Sequence, residues 1–95
     1  MGLISIDYLD AIRQANKLNT AAEQCESAER AANKAYAEVR ESWSGEAADA
    51  FKAKLEEWKK ENKRVMEECR DIAQLIKMVA KQIKEADESA AKMMQ

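Results

Sequence analysis

The chain offers itself one place to turn. It contains no proline, and beyond Gly2 its only glycine is Gly45, in Glu41-Ser42-Trp43-Ser44-Gly45-Glu46. Glycine and proline are the residues that most readily break regular structure. On both sides of Gly45 the sequence is rich in Ala, Glu, Lys, Arg, Leu and Met, the strong helix formers. The pattern predicts helix, tight turn, helix, and excludes a many-stranded or loop-rich scaffold. Helix 1 is expected over about 7–41, the turn over 42–45 and helix 2 over about 46–88, with a frayed tail to 95.

End signals agree with these bounds. Asp7 is a candidate N-cap, with Asp10 three residues on and Ile6 before it as a hydrophobic staple. Arg40 suits the C-terminal end of helix 1, where the dipole is negative. Ser44 is the candidate N-cap of helix 2, and Glu46 and Asp49 favour its first turn.

Helix 2 carries the clearest periodicity. Alternating steps of three and four pick out Ala48, Phe51, Leu55, Trp58, Asn62, Val65, Cys69, Ile72, Ile76, Val79, Ile83, Ala86, Ala90 and Met93. All but Asn62 are apolar, as in a coiled-coil seam. Asn62 either sets register or lies where the seam is wet. Helix 1 has a thinner seam of Ala11, Leu18, Ala21, Cys25, Ala28, Ala32, Ala35 and Val39. Beside the helix 2 seam lie Met66, Ala73, Leu75, Met78 and Ala80, which a lone hairpin is expected to leave facing water. So small a core seldom stabilises a domain alone. The expected fold is all-α, an antiparallel helix-turn-helix hairpin that dimerises into a four-helix bundle.

A turn centred near Ser44 places Cys25 opposite Lys63, Cys69 opposite Asn19 and Asp7 opposite Lys81. The two cysteines are then roughly 9 Å apart along the axis, too far for an intrachain disulfide. Residues after Lys81 overhang their own helix 1 and still carry Ile83, Ala86, Ala90 and Met93.

Several functions are disfavoured. The chain has no histidine, the commonest general base and metal ligand, and no Cys-x-x-Cys spacing. No catalytic, metal or cofactor site is expected. The net charge is −2, and Lys59, Lys60, Lys63 and Arg64 are interleaved with glutamates at helix-pair spacing. This is a solvated face, not a nucleic-acid footprint. The polar side of helix 2 is mixed in sign, which argues against action on a membrane. The opening residues lack the basic and long apolar regions of a signal peptide.

Trp43-Ser44-Gly45 at mid-chain, at the single turn of a two-helix pattern, with Phe51 following and a length just under one hundred residues, resembles the WxG family. These are the small ESAT-like substrates of bacterial type VII (ESX-type) secretion. Family members also tend to carry a C-terminal pattern, here Ile83, Asp87, Ala90 and Met94. The tyrosine-containing mycobacterial form is absent, so the likeness is to Firmicute relatives. The resemblance implies a non-enzymatic, virulence-associated protein made in the bacterial cytoplasm without a signal peptide and then secreted. It implies an antiparallel dimer with itself or a paralogue, in which the tail of one chain meets the Trp43 turn of the other. That composite signal is read by the secretion ATPase. The alternative is a cytoplasmic targeting partner, a heterodimer that escorts a larger toxin or paralogue to the machinery. A helical-bundle protein with no export role is the third reading.

Overall fold

The computed structural model describes residues 7–94. It has two helices, α1 (Tyr8–Ser42) and α2 (Gly45–Met93), and no strand among the described residues. Ile6, the expected staple, lies outside the described residues. α2 continues past residue 88, the end expected from the sequence, to Met93.

Side-chain caps define the helix ends. Asp7 Oδ1 accepts the Asp10 N–H at 3.1 Å, and its carbonyl accepts the Ala11 N–H at 3.0 Å. These groups satisfy donors that the first helical turn leaves without partners. At the far end of α1 the Trp43 N–H donates to the Val39 carbonyl at 2.9 Å. Ser44 then opens α2: its Oγ accepts the Ala47 N–H at 3.2 Å and its carbonyl accepts the Ala48 N–H at 2.9 Å. Only Trp43 and Ser44 separate the helices.

By packing, the chain divides into two compact units, Ala21–Glu68 and Met1–Thr20 with Cys69–Gln95. In the first unit, Ala22, Ala48 and Leu55 are buried. Tyr36 stacks on Phe51 with ring centroids 6.0 Å apart, and Asn62 Nδ2 donates to the Cys25 carbonyl at 2.8 Å. Both contacts fall within about a residue of the register expected from a turn near Ser44. The hydrogen bond supports the register role for Asn62: it gives a seam amide a fixed acceptor on the facing helix. In the second unit, Ala15, Ala73 and Ala80 are buried, and Lys84 Nζ lies 4.8 Å from the centre of the Tyr8 ring.

The buried side of α2 differs from the seam read off the sequence. The column Leu55, Asn62, Cys69, Ile76, Ile83 is buried or half-buried, as expected. Its companion column, however, is Lys59, Met66, Ala73, Ala80 and Asp87, four residues on rather than three. Ala73 and Ala80, expected to face water, are buried instead. Trp58, Val65, Ile72 and Val79 stand outside the hairpin and are between 39 and 48% exposed. The reason is size. Ala73 and Ala80 allow α1 to approach with its own Ala15, whereas a column of Trp, Val and Ile would hold the helices apart. Among the described residues five of the six that are buried are alanines, and burying the sixth, Leu55, contributes about 2 kcal/mol.

Two outcomes follow. Ser44→Ala removes the cap and lowers stability by about 1 kcal/mol in urea denaturation. Ala73→Leu overfills the narrow contact and costs about 1–3 kcal/mol by the same measurement.

Candidate interaction site

Three features remain after the hairpin's own needs are met: the turn, the C-terminal segment of α2 and the free side of α2.

At the turn, Phe51 is half-buried between two aromatic rings. Tyr36 stacks on it, and Trp43 meets it edge-on, with centroids 5.8 Å apart and planes at 87°. Such edge contacts are favoured by the ring quadrupole. Trp43 is nevertheless 46% exposed. Its ring is therefore only partly covered at the turn. The sequence identified Phe51 as the aromatic following the turn, but not Tyr36 as its second partner. The signal for it was the near-equal distance of residues 36 and 51 from the turn.

Gly45 has an unexpected role in the backbone. Glycine at a turn usually supplies a left-handed conformation. Here no glycine among the described residues has positive φ, and Gly45 is the first residue of α2. A Cβ built on it would meet nothing within 4 Å. Neither backbone freedom nor packing within the chain requires glycine at this position.

In the C-terminal segment, Ile83 and Asp87 are half-buried, while Ala90 and Met94 are exposed. Steps of four, three and four put all four on one side of the helix. Met94 lies one residue beyond α2, its N–H donating to the carbonyls of Ala90 and Ala91 at 3.2 and 3.3 Å. The turn residues fall in the unit Ala21–Glu68 and these four in the other.

The free side of α2 bears Trp58, Val65, Ile72, Leu75, Met78 and Val79, all exposed. Asp71, Gln74, Leu75 and Met78 line an open hollow of about 250 Å³. Beside Val65, Arg64 donates to Glu61 Oε2 at 2.9 Å and to Glu68 Oε1 at 2.7 Å. The hydrogen bond to Glu61, and then the charges of Glu61 and Glu68, raise the Arg64 pKa above its ordinary value. This network neutralises carboxylates at the edge of an apolar stripe.

Among the other expected seam residues, Leu18, Ala32 and Val39 on α1 and Phe51, Cys69 and Ile76 on α2 are half-buried, Leu55 is buried, and Ala28 is exposed. Cys25 and Cys69 are free thiols. Among the described residues no group of three His, Cys, Asp or Glu side chains is placed to hold a metal, and no helix is long and apolar enough to cross a membrane.

The chain matches the family model WXG100, described as proteins of 100 residues with WXG, over residues 3–88. Ile83 and Asp87 fall inside that span, and Ala90 and Met94 lie beyond it. No curated protein and no solved structure matches the chain. Members of the matched family are small, non-enzymatic secreted proteins, substrates of type VII secretion, that typically form dimers with themselves or with paralogues. With a Trp-Ser-Gly turn between two helices and nearly its whole length matched, the chain belongs to the WXG100 family.

Proposed function

We propose that the protein is a small dimeric substrate and adaptor of a type VII secretion system, carrying a two-part export signal. One part is the turn, Trp43, Ser44 and Gly45. The other is the side of the C-terminal segment formed by Ile83, Asp87, Ala90 and Met94. The secretion ATPase reads the two together when the tail of one protomer lies beside the turn of its partner.

One observation carries this reading. Gly45 has ordinary helical backbone and open space where a side chain would stand, so the hairpin itself has no use for glycine there. Where the backbone is compatible with a side chain, glycine costs roughly 0.4–1 kcal/mol relative to alanine, chiefly because the unfolded chain is freer. A residue that costs stability and gains the fold nothing fits a surface that another molecule must approach closely. The half-exposed Trp43 next to it supplies an aromatic anchor, the side-chain type favoured at binding hot spots.

The test combines folding and export. Gly45→Ala is expected to raise stability by roughly 0.4–1 kcal/mol, leave helix content unchanged, and yet reduce appearance in the culture supernatant of a type VII-competent bacterium. Asp87→Ala, at a half-buried position with no ion pair among the described residues, is expected to reduce export in the same way while the protein accumulates in cells. Normal export of both variants would overturn the signal reading.

A further inference from the structure

The chain has two tryptophans, two tyrosines and one phenylalanine, and three of these five rings meet at the turn. Elsewhere in the same unit the buried side chains are Ala22, Ala48 and Leu55. Rings are thus the exception in a contact made mostly of small residues. Phe51 is the middle member of the three. Tyr36 lies nearly parallel to it, at 9° and 6.0 Å, and Trp43 stands across it, at 87° and 5.8 Å. Tyr36 comes from α1 and Phe51 from α2, and both are half-buried. Trp43 belongs to neither helix and is 46% exposed.

The backbone of Trp43 is held on both sides. Its N–H donates to the Val39 carbonyl, and Ser44, the next residue, caps α2. What remains free is the two torsions of the side chain. Among the described residues the one ring partner of the indole is Phe51. The plane of Phe51 is in turn matched by Tyr36. Orientation of the exposed indole therefore passes from Tyr36 through Phe51 to Trp43.

We propose that Tyr36 is a positioning residue for Trp43: stacked on Phe51, it holds the indole in the orientation in which the secretion machinery takes it up. The inference rests on the two-part signal above and extends it to a residue of α1 outside the Trp-Ser-Gly turn. The gain is preorganisation. An anchor already held in its bound orientation loses less freedom on binding. Apparent affinity falls in proportion to the fraction of molecules that hold the competent orientation. One aromatic ring contact shifts such a population about 2- to 12-fold.

The test follows the indole and export separately. A Trp58→Phe background leaves Trp43 as the sole tryptophan, so time-resolved fluorescence anisotropy and iodide quenching report on it alone. There, Tyr36→Ala is expected to speed local rotation of the indole and raise its quenching, with helix content retained because alanine is a strong helix former. With Trp58 intact, Tyr36→Ala is expected to lower export about 2- to 12-fold. Tyr36→Phe keeps the ring and is expected to match the unaltered chain in rotation, quenching and export. Tyr36→Leu keeps apolar bulk without a ring and is expected to behave like Tyr36→Ala. Restored export in Tyr36→Leu would reduce Tyr36 to packing and overturn the inference. Trp43→Ala supplies the reference. If it blocks export while Tyr36→Ala exports normally, or leaves the indole as still as before, the positioning role fails and the signal reading stands. If Trp43→Ala itself exports normally, the turn is no part of the signal and both readings fall.

Discussion

The close contact between α1 and α2 is made by alanine, and most of the structure depends on that choice. Ala22 and Ala48 lie buried in one unit and Ala15, Ala73 and Ala80 in the other. Small side chains let helix backbones come near each other, but each contributes little apolar burial. The contact is therefore narrow, and it selects which columns of α2 turn inward. Leu55, Asn62, Cys69, Ile76 and Ile83 belong to the inner side on any reading. The column beside them could be the bulky one or the small one, and α1 takes the small one. The bulky residues are left outside as a continuous stripe. A narrow helix contact and a free apolar stripe are thus two consequences of one packing decision.

A seam this thin needs another source of register. Alanines slide past one another with little energetic discrimination, because their faces are nearly featureless. The Asn62 amide, bonded to the Cys25 carbonyl, and the Tyr36–Phe51–Trp43 ring cluster are specific contacts that a shift would break. Both lie in the unit that contains the turn. The two-residue connection and the Ser44 cap constrain the same end of the hairpin. Polar pairing, ring stacking and a short loop together supply the specificity that apolar burial does not.

The same division of labour bears on function. The features free for recognition here are those the fold leaves unused. They are a half-exposed tryptophan at the turn, a glycine that the backbone does not require, and a C-terminal segment whose apolar and acidic residues share a side. Family membership places the chain among small secreted proteins that dimerise. On the free side of α2, exposed Val, Ile and Leu side chains would gain roughly 25 cal/mol for each Å² that any partner removed from water.

The all-α class, the turn, both caps and the near-register of Cys25 with Asn62 were legible in the sequence. They depend on local chemistry: the absence of proline, one glycine, Asp7 and Ser44 as side-chain acceptors, and a short loop that leaves the helices little choice. The side of α2 that meets α1 was not legible. A heptad pattern with a fully apolar column at +3 favours that rotation over the +4 column, which is apolar only at Met66, Ala73 and Ala80, and the small size of the residues facing from α1 overrides that preference. The role of Gly45 was hidden for a similar reason. Its identity suggested backbone freedom, and only the three-dimensional path showed an ordinary helical residue with nothing beside it. Local sequence determined where the chain is helical and where it turns. Tertiary packing decided which side is buried and which is left for a partner, because that depends on how closely two particular surfaces can approach.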